Sequence, residues 1–263
     1  MKKLKMEKNT KKLMGIETYT KPFDKKKMAI KEFEILSWAY ENGLYVPKVI
    51  SDSVHKVISP TDGKPHWGFS MQLIKPEIEL TDDNLKKLLE TCVELHSLKV
   101  PGHIKNILRK YSDEGKVYAE ILGLNGDFKY HLKHMDSISR CLVHNDLVKV
   151  NLAGNGKIAP LDFGEAIYGI PQTDVVRALY TFKKLDNSEE KNIIDFYKQL
   201  YLKSNPDKKE KFDIELGLAK SYQFVKFAAG CLNLSKKDGI GNEEKASLEE
   251  SMKDFLARGG YKR

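Results

Sequence analysis

The chain of 263 residues is 41% hydrophobic and 31% charged, a composition typical of a globular domain that buries a full core. Its net charge of +8 comes mostly from lysines that are spread along the chain and mixed with acids, which argues against a nucleic-acid groove. No apolar run approaches the roughly 18 residues that span a bilayer, and the basic start lacks the apolar segment of a secretory signal. We expect a cytoplasmic protein without a membrane partner, folded as one unit of two lobes.

The first third of the sequence predicts a small antiparallel sheet. Alternating apolar residues over 2–20 predict a hairpin that turns at residues 9–11. Two further apolar runs, at 49–57 and 67–74, predict strands separated by a loop rich in turn residues. A helix is expected between the hairpin and these strands, with Asp24 as its N-cap and Gly43 as its stop.

Helices are predicted to dominate the rest of the chain. Thr81 precedes two acids and a periodic apolar pattern, so it is expected to cap a helix. Residues 102–125 are irregular and helical by turns. Later amphipathic patterns predict helices at 128–138, 193–202, 214–232 and 247–257.

One stretch, residues 141–166, places polar residues between and after two apolar runs. The first run leads into His144 and Asp146, Asn151 follows five places after Asp146, and the second run leads to Asp162. Residues 154–156 read Gly-Asn-Gly and tolerate positive φ, so we expect the two runs to pair as a short antiparallel hairpin. This pairing would bring two carboxylates and one amide together.

Two carboxylates and an amide suit phosphoryl transfer from a nucleotide, which requires an oriented acceptor hydroxyl and neutralised phosphate charge. One carboxylate can take the hydroxyl proton, and Mg²⁺ prefers the oxygen ligands that the other carboxylate and the amide offer. We expect Asp146 to be the base and Asn151 and Asp162 to hold magnesium on the phosphates of ATP. The same residue types are common in turns, so the joint spacing is what favours a function.

The motifs HNDLVKVN and LDFGEA resemble the catalytic and metal-binding motifs of the aminoglycoside phosphotransferase and choline kinase superfamily, relatives of the protein kinases. The HND form looks most like choline and ethanolamine kinases. The resemblance implies an α+β, two-lobed protein-kinase-like fold, with an antiparallel β lobe that binds nucleotide over residues 1–74 and a mainly helical lobe over 75–263. Only Gly15 lies where a glycine-rich phosphate loop is expected, so we expect a shortened N-terminal lobe.

The resemblance also assigns residues near the phosphates. It implies that Glu32, on a helix, pairs with Lys21, which holds the α- and β-phosphates. The lysines at 25–27 compete with Lys21 for this role, and Glu34 competes with Glu32.

Further residues follow from the same resemblance. Asp174 is expected to start a helix and to brace the catalytic loop through backbone amides and His144, which we group with Asp146 as catalytic. The segment that joins the lobes is expected to meet the adenine edge with its backbone, with one side chain packed behind. Its nucleotide-binding residues are Met71, Gln72, Leu73 and Ile74.

The function that the motifs imply is an ATP- and magnesium-dependent phosphotransferase that moves the γ-phosphate to a hydroxyl of a small molecule. Aminoglycosides, choline and sugar-like compounds all remain open as acceptors. Lower-lobe aromatics could form a cage for a quaternary ammonium, whereas paired acids would suit an aminoglycoside. The aromatic candidates are Tyr168, Tyr180, Tyr197, Tyr201, Tyr222, Phe224 and Phe227.

Two alternatives stay open. The missing glycine-rich loop permits a catalytically weak kinase-like protein that binds nucleotide or a partner. A protein kinase is disfavoured because Val148 stands where those enzymes carry lysine, and because residues 165–171 are too few for a long activation segment. The sequence leaves the oligomeric state open.

Overall fold

The computed structural model describes residues 10–13, 16–59, 61–74, 78–124, 126–154, 156–182 and 188–261. Within these residues the N-terminal lobe is an antiparallel sheet of four strands, in the order β1-β2-β4-β3, with one helix. This arrangement is the small β lobe that the sequence predicts. Its elements are β1 Thr10–Leu13, β2 Ile16–Phe23, α1 Lys26–Glu41, β3 His55–Ile58 and β4 Pro65–Gln72.

The C-terminal lobe is mainly helical, as predicted, and carries two pairs of very short strands. None of the helices in the described residues is long and apolar enough to cross a membrane. Short 3₁₀ turns lie at Lys149–Asn151, Phe163–Glu165 and Pro206–Lys208. The helices and strands are α2 Asp82–Ser97, α3 Gly102–Ile107, α4 Tyr111–Leu122, α5 Gly126–Ile138, β5 Cys141–Val143, β6 Leu152–Ala153, β7 Ala159–Pro160, β8 Ile167–Gly169, α6 Gln172–Thr181, α7 Ser188–Ser204, α8 Phe212–Ser235 and α9 Asn242–Arg258.

The N-terminal hairpin is present, but its turn is not where the sequence placed it. β1 and β2 pair antiparallel with Leu13 opposite Ile16, so the connection contains only residues 14 and 15. Residues 10 and 11, expected in the turn, lie in β1. Residue 9, Met14 and Gly15 lie outside the described residues.

Helix caps were predicted with mixed success. The N-cap of α1 is Lys25, not Asp24, whose carboxylate lies 3.1 Å from Nδ1 of His66. The end of α1 is as predicted, since Gly43 takes the left-handed conformation with φ of +82°. Thr81 caps α2 as expected, and its hydroxyl accepts a hydrogen bond from the amide of Asn84.

The strand predicted at 49–57 was too long. Val49 makes only an isolated bridge with Met71, and regular pairing begins at His55. The amides of residues 50 and 51 both donate to the carbonyl of Ser70, and the Ser51 hydroxyl accepts from the Ser70 amide. This double contact at one partner residue interrupts the ladder, as a bulge does.

The hairpin predicted for residues 141–166 is wrong in its pairing. β5 pairs with β8 and not with the second apolar run, whereas β6 pairs with β7. Asn145 takes a left-handed conformation with φ of 63°, which turns the chain away from the direction of β5. Gly154 allows the tight return of the β6–β7 connection, because a Cβ there would lie 2.0 Å from the Lys157 carbonyl oxygen.

The apolar core joins the two lobes. One cluster contains side chains of α1 and β4, such as Leu36 and Phe69, together with Leu142 and Phe163 of the C-terminal lobe. Two further clusters fill the C-terminal lobe between its helices. The motif residues of 141–166 therefore lie on a packed support that both lobes contribute.

Candidate active site

Asp174 organises the loop that follows β5. This residue of α6 is fully buried, and its carboxylate accepts hydrogen bonds from the amides of His144 at 2.8 Å and Asn145 at 2.7 Å. His96 lies 3.1 Å from the same carboxylate, and Tyr197 contacts the other ring nitrogen of His96. Burial by itself raises the pKa of Asp174. The hydrogen bond and the charge of His96 lower the pKa by more than burial raises it, so the pKa lies below its usual value. The loop thus rests on a buried anion.

His144 lies beneath the loop and has no exposed surface. Its Nε2 lies 2.8 Å from the carbonyl of Leu161, so Nε2 donates, and Nδ1 accepts from the amide of Asp146. Burial has the largest effect on the pKa of His144 and lowers it below its ordinary value. The ring packs edge-on against Phe163. His144 is predicted to be catalytic together with Asp146, and in the structure its buried ring makes hydrogen bonds that support the loop carrying Asp146.

Asp146 presents a carboxylate that two donors hold from different sides. The side-chain amide of Asn151 lies 2.9 Å from Oδ2, and Nη2 of Arg177 lies 2.8 Å from Oδ1. The side chain of Asp146 is 26% exposed, so a bound molecule can reach it. Each carboxylate oxygen can accept more than one hydrogen bond, so an acceptor hydroxyl can still bind there.

The two expected metal ligands are compatible with a magnesium ion. The side-chain nitrogen of Asn151 donates hydrogen bonds to Asp146, so the side-chain oxygen of Asn151 is the atom that can act as a metal ligand. The backbone oxygen of Asn151 accepts from the amide of Leu161 at 2.7 Å, which keeps the neighbouring Asp162 close. The Asp162 side chain is 40% exposed. The described residues contain no group of three or more His, Cys, Asp or Glu side chains that could hold a metal ion by themselves.

Lys21 of β2 lies between two carboxylates. Its ammonium lies 2.8 Å and 2.7 Å from the two oxygens of the buried Glu32 and 2.7 Å from Asp162. Burial by itself lowers the pKa of Lys21. The carboxylates of Glu32 and Asp162 raise the pKa by more than burial lowers it, so the pKa lies above its ordinary value. The competing lysines at 25–27 are exposed, and Glu34 is less buried than Glu32. The structure therefore pairs Glu32 with Lys21.

The segment between the lobes uses some of its backbone groups internally. The amide of Gln72 donates to the carbonyl of Lys48, and the amide of Leu73 donates to that of Glu17. Met71 is buried behind this segment. The buried side chain of Ile74 packs against alanines of β6 and β7.

Several contacts of this site escaped the sequence analysis. Arg177 lies three places after Asp174, and that helical spacing could have revealed it. Asn145 bonds to Glu114 of α4 through its side chain, and its carbonyl accepts from Lys226 of α8 at 3.0 Å. These partners are far apart in sequence and belong to no motif, so no local pattern predicts them.

The lower-lobe aromatics are mostly core. Tyr197, Tyr201 and Tyr222 are buried. Tyr180 and Phe227 stack with ring centroids 3.9 Å apart, and the guanidinium of Arg177 lies 5.8 Å and 5.1 Å from their centroids. The chain's own cation thus already covers this aromatic pair.

Comparison with protein families decides the classification. The profile of the phosphotransferase enzyme family (APH) matches residues 20–208, which include Lys21, Asp146, Asp162 and Asp174. The chain belongs to this family. Comparison with curated protein sequences found no match.

Solved structures support the same fold for this APH-family chain. Choline kinase LicA from Streptococcus pneumoniae aligns with a TM-score of 0.58 and 14% identity over 94% of this chain and 89% of its own. Amicoumacin kinase hAmiN, in complex with AMP-PNP, Ca²⁺ and Ami, aligns with a TM-score of 0.62 and 13% identity over 98% and 92%. The GDP complex of aminoglycoside 2'-phosphotransferase-IIIa aligns with a TM-score of 0.55 and 13% identity over 88% and 82%. The two-lobed kinase-like fold implied by the motifs is confirmed.

Proposed function

We propose that this member of the phosphotransferase family transfers the γ-phosphate of ATP to a hydroxyl of a small molecule in a magnesium-dependent reaction. One observation carries the proposal. Asp146, Asn151 and Asp162 lie within a single hydrogen-bonded loop system, and Asp162 contacts the Lys21–Glu32 pair from the other lobe. A nucleotide between the lobes would meet all of these groups at once.

Each residue has a role that its contacts support. Asp146 accepts the proton of the acceptor hydroxyl as the new oxygen–phosphorus bond forms and ADP leaves. The Asn151 side-chain oxygen and Asp162 would hold magnesium, which supplies charge neutralisation on the phosphates when it is bound. Lys21, oriented by Glu32, binds phosphate oxygens. Asp174 fixes the loop that carries Asp146.

The adenine edge is assigned to the backbone of the segment between the lobes. Because the amides of Gln72 and Leu73 are already donated within the protein, their carbonyls and the backbone of Ile74 are the groups proposed for this contact. The solved relatives include complexes with AMP-PNP and with GDP, so the donor must be tested with both adenine and guanine nucleotides.

The acceptor is a small molecule in this proposal. Similar structures are described as kinases of choline, of amicoumacin and of aminoglycosides, which are chemically diverse acceptors. The segment after Asp162 is short and fixed: Arg109 pairs with Glu165, and β8 begins two residues later. It offers no extended platform for a peptide.

Thermal unfolding tests the nucleotide site directly. Native protein, Asp162→Ala and the exposed control Asp238→Ala are each heated with ATP or GTP, with and without Mg²⁺. At a ligand concentration of about 100 times Kd, binding stabilises the native state by about 2.7 kcal/mol. We expect stabilisation of the native protein and of Asp238→Ala that requires Mg²⁺, and none of Asp162→Ala. Absence of stabilisation by either nucleotide, or equal stabilisation of Asp162→Ala, would contradict the proposal.

A further inference from the structure

Arg177 makes a close contact with the proposed base that the family motifs do not describe. Its Nη2 donates to Oδ1 of Asp146 at 2.8 Å, and the two side chains are only 11% and 26% exposed. A planar guanidinium holds a carboxylate in a defined orientation better than a flexible ammonium does. The contact therefore fixes one oxygen of Asp146, while Asn151 fixes the other.

The position of Arg177 follows from its helix. Asp174, Arg177 and Thr181 recur on one face of α6, spaced three and four residues apart. Asp174 holds the amides of residues 144 and 145, and the Thr181 hydroxyl donates to the carbonyl of Leu147. Residues of α6 therefore hydrogen-bond to the backbone on both sides of Asp146, and Arg177 hydrogen-bonds to the side chain of Asp146.

The other side of the guanidinium is also fixed. It lies over the rings of Phe227 and Tyr180, which stack on each other, so aromatic faces from α6 and α8 restrict its movement. Packing against these rings orients Arg177 toward Asp146. Such support is what keeps a reacting group in its productive orientation.

We propose that Arg177 is the positioning residue for Asp146, and this proposal rests on the phosphotransferase function proposed above. In the reaction, the acceptor hydroxyl gives its proton to Asp146, its oxygen bonds to the γ-phosphorus, and the bond to the ADP oxygen breaks. Arg177 contacts the carboxylate of Asp146 but neither the acceptor nor the nucleotide in this scheme. It prevents the carboxylate from rotating away from the hydroxyl.

The test measures Mg²⁺-dependent release of phosphate from ATP, with water as acceptor, so that no acceptor needs to be known. Native protein is compared with Arg177→Met, Arg177→Lys and the control Arg258→Met. Arg258 also lies over an aromatic ring, Phe224, but its carboxylate partner is Asp254. Misplacement of a catalytic group by about 1 Å costs about 100-fold in rate. We expect kcat of Arg177→Met to fall about 100-fold with KM for ATP nearly unchanged, partial recovery in Arg177→Lys, and native kinetics in Arg258→Met.

A second comparison separates positioning from a general structural role. If Arg177 acts through Asp146, Arg177→Met has no further effect on the residual rate of Asp146→Asn. An equal loss in the native and Asp146→Asn backgrounds, or a native rate in Arg177→Met, would overturn the proposal and leave the phosphotransferase function standing. Absence of turnover by the native protein with water and also with choline and aminoglycosides as acceptors would overturn both.

Discussion

The ammonium of Lys21 lies 2.7 Å from a carboxylate oxygen of Asp162. Lys21 belongs to the N-terminal sheet and Asp162 follows the β6–β7 pair of the C-terminal lobe, so this ion pair spans the cleft between the lobes. Asp162 is also the residue to which we assign magnesium. In the proposed function, this ion pair places the cation proposed to bind phosphate beside the carboxylate proposed to hold magnesium.

The Lys21–Glu32 pair should separate nucleotide binding from stability. Lys21→Met leaves Glu32 buried without its cation, and removing one partner of a buried pair costs about 3 kcal/mol. Lys21→Met with Glu32→Leu removes both charges and is expected to regain most of that loss. Urea unfolding measures the stability of both variants, with the exposed Lys25→Met as control.

Nucleotide binding should not recover in the same double variant. Loss of a charged hydrogen bond to phosphate weakens binding by roughly 10-fold or more. Titration with Mg²⁺-ATP is expected to show this loss in both Lys21 variants and native affinity in Lys25→Met. A double variant that regains stability and also binds with native affinity would exclude Lys21 as a phosphate ligand.

Asp174→Asn should weaken the protein in a pH-dependent way. An asparagine can accept from only one of the two loop amides, because its NH₂ group faces the other, and we expect a loss of about 2 to 4 kcal/mol near neutral pH. The folded pKa of Asp174 is depressed, so its contribution is present above the unfolded pKa of about 3.9 and is lost as pH falls towards the folded value. Native and variant stabilities, measured by urea unfolding, should therefore converge in acid. A gap that is constant from pH 7 to pH 3 would count against a buried carboxylate at this position.

Lys31 gives a pH dependence of the same sign in the alkaline range. Its ammonium donates to the carbonyls of Gly164 and Ala166, and burial lowers its pKa to about 8. Between about pH 8 and the unfolded value near 10.4 the unfolded chain holds a proton that the folded protein has lost, so stability rises with pH in this window. We expect the unfolding free energy of native protein to increase relative to that of Lys31→Met as pH rises from 8 to 10. The exposed Lys27→Met should keep a constant difference from native protein.

Local sequence patterns predicted helix caps and helix ends that depend on interactions between neighbouring residues. The Thr81 cap, the stop at Gly43 and the helical pattern before β5 depend on neighbouring residues, and the structure has them. The family resemblance also predicted that Asp174 would meet backbone amides of the loop that carries Asp146, and it does. These contacts follow from one short stretch and the helix that packs on it.

Non-local contacts were not predictable in the same way. β5 pairs with β8 because the intervening loop turns at Asn145, and apolar runs alone do not show which edge a strand will meet. Lys226 and Glu114 reach Asn145 from separate helices without any motif. Arg177 lies between these cases, since its helical register was visible but its partner, Asp146, depended on how α6 docks.

The most direct test of the proposed function compares native protein with Asp146→Asn. Transfer of labelled γ-phosphate from Mg²⁺-ATP is measured with water and with hydroxyl acceptors, beginning with choline and aminoglycosides, and nucleotide binding is measured in parallel. Because a general base contributes about 10²- to 10⁴-fold, we expect Asp146→Asn to lose transfer by at least about 100-fold while binding Mg²⁺-ATP normally. Near-native transfer by Asp146→Asn would contradict the assignment of Asp146 as the base and, with it, the mechanism proposed for this chain.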